Sequence, residues 1–423
     1  MQLQLRHIRR LLSAPALLLA ALLLAALLGA VLFGCASYRE YTSEFFAMDT
    51  VMSIAAYGEN AESAASEVER RIYELDALWS IGNPSSDISL LNSGRRDAEL
   101  NPETDKILRE AERVRDMTDG AFDERIFAAA EAWGFYSGEY RVPTQDELRR
   151  LISLRDKIDL GAIAKGYASD EAAELLRDAG ISSAIINLGG NVYAIGGKPG
   201  GGDWTVGVRD PFNLSKNIVT LKLRDRAAVT SGGYERYFEQ DGARYHHILD
   251  PRTGYPADAG LASVTVVSES GTLADGLSTG LFVLGKERAL ELWRENRALF
   301  DLVLIENDGT VTITEGIKKA GSSGRLTTVA AESIIGIYKN GERIHTAELD
   351  AVSEPYDVKA GEGNIVRVAP GEVYMLSADC RDQICVHHAA LRRGNGESNR
   401  PFDAETPIVC LPNNVVVKWE LAP

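Results

Sequence analysis

Cysteine is nearly absent from this 423-residue chain: there are four, at positions 35, 380, 385 and 410, and none between Ala36 and Asp379. That excludes a disulfide-stapled scaffold and a thiol nucleophile for the main body, which must fold on its hydrophobic core. Histidine is also scarce, with six residues. The GxSxG elbow, HExxH and the P-loop pattern are missing, and no GxGxxG opens a helix after a strand. Elbow hydrolases, zinc proteases, P-loop enzymes and Rossmann dehydrogenases therefore lose their main support. Basic residues are in deficit: 45 Lys and Arg stand against 61 Asp and Glu, a net charge of −16. Such a surface argues against nucleic acid or anionic lipid as the main partner of the folded part. A phosphate ligand would need a local device to overcome that field, and a metal ion is the obvious one. Hydrophobic residues at 45% and charged residues at 25% exclude wholesale disorder and fibres.

Charge is lacking altogether from Leu11 to Phe33, a run of mostly Leu and Ala behind the basic cluster Arg6, His7, Arg9 and Arg10. This reads as a secretory signal, and the run is long enough to span a bilayer as an uncleaved anchor. Leu32-Phe33-Gly34-Cys35 is similar to a lipobox, with Cys35 as the lipidated residue. Either form puts the folded part on the extracytoplasmic side, in the periplasm or at the cell surface.

Beyond the leader, residues 36–320 alternate helical and strand-like segments, which predicts an α+β domain. Apolar spacing predicts helices over Glu62–Trp79, Asp105–Met117 and Ala164–Ala179. Strands are predicted at Ser183–Leu188, Trp204–Val208, Ala227–Thr230 and Ala262–Val267. Lys319–Gly324 is small and polar and reads as a loop or boundary. Residues 333–420 read as short strands and turns, a small mostly-β domain with Asn340-Gly341 as a hairpin signal.

Four glycine-rich knots in the larger domain can carry chemistry. Asp159–Asp170 opens a helix, where unpaired amides and Lys165 suit an anion; the bland reading is a capped, closely packed helix start. Asn187-Leu-Gly-Gly-Asn191 is a strand running into a turn. His246-His247 precede Asp-Pro and a Thr-Gly turn at a strand end. Asp275 shares a helical face with Ser278 and Thr279 at i+3 and i+4, a cluster of hard oxygens that suits Mg²⁺. Its bland reading is an Asp N-cap followed by Ser and Thr in the first turns.

In this order the segments resemble the bacterial ApbE family, the FAD:protein FMN transferases. The matching run covers Met48–Ser53, Ser86–Asn92, Gly120–Asp123, Trp133–Phe135, Asp159–Asp170, Asn187–Asn191, Trp204–Pro211, Thr230–Gly233, His247–Gly254 and Ala274–Gly285, about residues 44–315. The resemblance implies Mg²⁺-dependent transfer of FMN from FAD to a Thr or Ser hydroxyl of an exported redox subunit, with release of AMP. By the same resemblance Met48, Ala121, Phe122, Asp123, Asp159 and Lys165 match positions that contact FAD. Leu249 lines the flavin pocket. Asp275, Ser278, Thr279 and the Ala162 carbonyl surround the metal, and His247 and Asp275 are the catalytic pair. Two positions depart from the family: Gly82 stands where Tyr or Trp is frequent, and Asp49 where Gly is commoner. An FAD-binding protein or FAD pyrophosphatase without a protein acceptor is the alternative. A surface scaffold lipoprotein is a third reading, weakened by the complete metal motif. Asp275-Gly-Leu-Ser-Thr279 looks superficially like an acceptor sequence, but it coincides with that motif and reads as a ligand site.

The C-terminal segment resembles a NusG domain II-like module, carried by Ile337–Gly341, Ser377–His387 and Pro407–Val417. Cys380, Cys385 and Cys410, with His387 and His388 nearby, leave a disulfide plus one buried thiol, a metal site and reduced cysteines all open.

Overall fold

The computed structural model describes residues 39–95, 100–322, 326–329, 333–349, 352–361, 363–379, 386, 391–392, 408–410 and 412–421. The leader with Cys35, and Cys380, Cys385, His387 and His388, lie outside the described residues. Among those described, no helix is long and apolar enough to cross a membrane.

The larger unit is α+β. In chain order its elements are β1 (Glu40–Ala47), β2 (Thr50–Tyr57), α1 (Ala61–Trp79), α2 (Asp87–Asn92), α3 (Pro102–Met117), α4 (Phe127–Ala132), α5 (Gln145–Leu154) and α6 (Ala164–Asp178). Next come β3 (Ser183–Leu188), β4 (Asn191–Ile195), β5 (Trp204–Asp210), β6 (Asn213–Leu223), β7 (Arg226–Gly232), β8 (Tyr237–Gln240) and β9 (Ala243–His246). β10 (Leu261–Ser268), α7 (Gly271–Leu284), α8 (Lys286–Asn296), β11 (Phe300–Glu306), β12 (Val311–Thr314), β13 (Lys319–Ser322) and β14 (Leu326–Val329) complete it.

Nine strands form one sheet in the order β1-β2-β3-β4-β7-β10-β11-β12-β14, and β13-β6-β5 form a second. The strand period of two sorts the large sheet's residues between its faces. Ile195, Ala227, Val229, Val264, Val266, Leu302 and Leu304 join the core with α1, α3, α6 and α7. Their neighbours Ala194, Ala228, Val267, Val303 and Ile305 pack instead with Trp204, Val208, Val219 and Leu221 of the small sheet. The unit is therefore helices, large sheet, small sheet, in three layers.

The amphipathic pattern of α1 buries Val68, Ile72, Leu75 and Trp79 on one face. The helix α7 is different. Twelve of its fourteen residues are buried, and Thr279 in mid-helix is not. It is a central helix, hydrophobic nearly all round, with one polar point reaching the surface.

Two readings are corrected. Lys319–Ser322, read as boundary loop, pairs with β6 as a strand, and Leu326–Val329 adds to the large sheet beside β12. Asp275 is not the N-cap of its own helix. Ser270 fills that place, its side chain accepting from the Leu273 amide.

The C-terminal unit is mostly β, as the turn-rich sequence predicts. Its strands are β15 (Ser333–Lys339), β16 (Glu342–Glu348), β17 (Tyr356–Lys359), β18 (Ile365–Ala369), β19 (Glu372–Ser377), β20 (Leu391–Arg392), β21 (Ile408–Cys410) and β22 (Val415–Leu421). They form two four-stranded sheets around a core of their own that includes Ile335, Val366, Val373 and Val417. Asn340 and Gly341 both take positive φ in the β15–β16 turn, the geometry that hairpin signal predicts. Cys410 is buried and forms no disulfide among the described residues.

Candidate active site

The site is built where α6 and α7 cross. A carboxylate on each helix caps the other. Asp170 of α6 accepts from the backbone amides of Gly271 (2.6 Å) and Thr272 (2.9 Å) and from the hydroxyls of Thr272 (2.7 Å) and Ser270 (3.0 Å). Asp275 of α7 accepts from the Gly166 amide of α6 at 2.8 Å. The N-cap position of α6 is Ile163, whose side chain cannot cap, so Asp275 answers an orphan amide that the local sequence leaves open. The positive end of α6 also favours a charged carboxylate there. The bland and the chemical readings of Asp275 thus converge: it is a cap, supplied from 109 residues away.

The crossing needs glycine. A Cβ at Gly166 would lie 2.2 Å from the Gly271 carbonyl oxygen and 2.6 Å from Asp275 Cβ. The approach that these two glycines permit leaves Asp275 buried at 4% exposure, with Oδ1 accepting no hydrogen bond among the described residues.

One turn along α7, the Ser278 hydroxyl donates to the Asp275 carbonyl oxygen at 2.8 Å. It also lies 2.8 Å from Ser231 Oγ of β7, which is in turn 3.2 Å from Thr279 Oγ1. Ser278 is fully buried, whereas Thr279 reaches the surface. Ala162 precedes the first turn of α6, and a continuing helix would aim the Gly166 amide at its carbonyl. That amide goes to Asp275 instead. The set is one carboxylate, hydroxyls and a carbonyl: oxygen donors of the kind Mg²⁺ takes alongside water and phosphate. No cluster of three or more His, Cys, Asp or Glu side chains suited to a metal occurs among the described residues, so any metal here is held with few protein charges.

Lys165 adjoins Gly166. Its ammonium donates to the Gly161 carbonyl at 3.1 Å, and no carboxylate pairs with it among the described residues. It lies near enough to His247 for its charge to be felt there. The His247 ring places Nδ1 3.1 Å from the Arg236 carbonyl oxygen. A carbonyl only accepts, so Nδ1 carries the proton and Nε2 keeps its lone pair. Burial holds the imidazole down at about 4, with the nearby Arg236, His246 and Lys165 charges adding to the effect. His247 is neutral across ordinary pH.

Asp159 accepts from the Gly161 amide at 3.0 Å and from the Tyr136 hydroxyl, which stands partly exposed. Met48 and Asp49 form the β1–β2 turn with φ of 47° and 58°. Asp is among the few side chains that tolerate this region, which accounts for its replacing the commoner Gly. Gly82 is exposed, with Ser80 Oγ, at 3.7 Å, the nearest atom to a Cβ built there.

Other predicted contacts are occupied by the fold itself. Ala121 and Phe122 are buried in the main core, and their amides donate to Thr118. The Asp123 carboxylate is buried and paired with Arg125 and Arg155. Leu249 is buried in an aromatic cluster with Trp133, Phe135 and Phe238, which also supports His247 through the edge of Phe135. Sequence reasoning missed Ser231, Asp170 and Tyr136 as individual residues. The first two lie inside quoted motifs, and Tyr136 follows one directly.

A model of the ApbE family matches residues 48–303, and one of NusG domain II matches 323–422. The chain belongs to the ApbE family. The FAD:protein FMN transferase of Treponema pallidum is 31% identical over 322 residues, covering 67% of this chain and 89% of that protein. A Klebsiella pneumoniae protein of the same name is 31% identical over 292 residues, 64% of this chain and 90% of its own. Among solved structures, the ApbE protein of Thermotoga maritima is 32% identical with a TM-score of 0.61, covering 64% of this chain and 96% of that one. The flavin transferase ApbE of Vibrio cholerae is 27% identical with a TM-score of 0.57, covering 67% and 98%. The ApbE match takes in α6, α7, β7 and His247, so the crossing just described lies within the family region.

Proposed function

We propose that this chain moves FMN from FAD onto a Thr or Ser hydroxyl of an exported protein, using Mg²⁺ and releasing AMP. Flavin transfer from FAD to a protein rests on family membership and on the activity named for the relatives. The ion, the hydroxyl acceptor and export are the proposed part.

The observation that carries it is the crossing of α6 and α7. A carboxylate meets a helix N-terminus there, beside a lysine that no carboxylate pairs with among the described residues and whose charge is felt at a neutral imidazole. Asp275, Thr279 and the Ala162 carbonyl would hold the ion. Mg²⁺ bound there would neutralise charge on the pyrophosphate and offset the acidic field of the chain. Lys165 adds a second positive charge on the phosphate side. His247 Nε2 takes the proton from the acceptor hydroxyl as its oxygen bonds to the FMN phosphorus. The bond from that phosphorus to the bridging oxygen breaks, and AMP leaves with the bridge. Membrane attachment through Cys35 or an uncleaved helix is supported by the leader sequence alone.

Incubating the purified protein with FAD, Mg²⁺ and an acceptor bearing a Thr separates this from the pyrophosphatase reading. The transferase yields a fluorescent flavin band on the acceptor in a denaturing gel. Free FMN and AMP with no labelled acceptor would leave the hydrolase.

A further inference from the structure

We infer that Ser231 is a positioning residue for the metal site, setting the direction of the Thr279 hydroxyl, and that the Ser278 hydroxyl is the far end of the same relay and not a ligand. This rests on the reading of Asp275 and Thr279 as metal donors.

Proton supply fixes the direction of each bond. Each hydroxyl has one proton to donate and two lone pairs with which to accept. The Ser278 proton is already committed, since that hydroxyl donates to the Asp275 carbonyl oxygen. In the 2.8 Å contact between Ser278 and Ser231, Ser278 must therefore accept and Ser231 donate. Ser231 then has no second proton for Thr279, 3.2 Å away, so Thr279 donates to Ser231. The chain runs one way: Thr279 to Ser231, Ser231 to Ser278, Ser278 to the backbone of Asp275.

The consequence falls on Thr279. Its proton is turned inward to β7, and its lone pairs are left for the other side, where this residue, unlike Ser278, is only partly buried. A neutral hydroxyl can ligate a cation only through a lone pair, so the relay presents the orientation that coordination requires. Ser278 is fully buried, and its hydroxyl donates one hydrogen bond and accepts another within the fold, so its one remaining lone pair has no opening to the surface. It anchors the relay to the residue that supplies the carboxylate. Outer partners of this kind typically contribute tenfold or more to metal affinity.

The test uses Mn²⁺, counted by electron paramagnetic resonance with FAD present, so the readout is binding and not turnover. Ser231→Ala should weaken Mn²⁺ binding by about tenfold or more. Ser231→Thr keeps the hydroxyl and should restore it, which separates orientation from general damage to the strand. Ser278→Ala should lose less than Thr279→Ala, and adding Ser231→Ala to Thr279→Ala should cost no further affinity. Wild-type binding by Ser231→Ala, no recovery in Ser231→Thr, or a loss in Ser278→Ala equal to that in Thr279→Ala would each overturn the relay. If Thr279→Ala itself bound Mn²⁺ normally, or the wild type bound none, the metal reading would fall and the relay with it.

Discussion

The setting of His247 suits the base proposed for it. Its Nδ1 is tied to a backbone carbonyl and burial keeps the ring neutral, so Nε2 remains a base well below the usual histidine range. The acid limb of the pH–rate profile should therefore fall near pH 4 and not near 6.5. Replacement by Ala should lower the rate by about a hundredfold or more with FAD affinity little changed, checked by single-turnover kinetics. A wild-type rate in His247→Ala would remove the residue from the mechanism. The same depressed value bears on stability. Between about pH 6.5 and 4 the unfolded chain binds a proton that the folded one refuses. His247 therefore makes stability fall as pH drops through that window and contributes no pH dependence above it, which urea midpoints over the range can follow.

At the scale of elements, the α6–α7 crossing joins stability to function. Asp170 receives four hydrogen bonds at the start of α7, and its loss strands two backbone amides. Asp170→Ala should cost about 2 kcal/mol or more, read from the shift in urea midpoint. Gly166→Ala drives a Cβ into the Gly271 carbonyl and Asp275. It should destabilise by about 1–3 kcal/mol and weaken Mg²⁺ binding at the same time, because the methyl pushes α7 off the end of α6. Retention of both properties would mean that the crossing has room the geometry denies it.

Across the whole molecule, much of the architecture is legible from periodicity. Ser183–Leu188 is a strand over the predicted residues, and Ala164 opens α6 as the spacing predicts. The β1–β2 hairpin is not legible from periodicity, because the first strand, EYTSEFFA, buries only Phe45 and Ala47 at its end and leaves Phe46 exposed. Lys319–Ser322 looked like linker because its small polar residues gain strand character only from pairing with β6. The site shows the same division. Ordered motifs pick out Asp275, Thr279, Lys165 and His247, while the bonds that give them direction join residues far apart in the chain. Asp275 meets Gly166 across 109 residues, and Ser231 meets Ser278 across 47, so no local pattern records either contact. Nor does spacing reveal that Phe122 and Leu249 face inward, since that depends on which helix or ring covers them.

A divalent ion beside the FAD pyrophosphate, held by the end of α6 and the middle of α7, is the centre of the proposed reaction. Anomalous diffraction from crystals grown with Mn²⁺ and FAD reads that position directly. The predicted result is one manganese peak at coordination distance from Asp275 Oδ1 and Thr279 Oγ1, touching the phosphates. A peak elsewhere, or bound FAD with its phosphates away from Asp275, would contradict it.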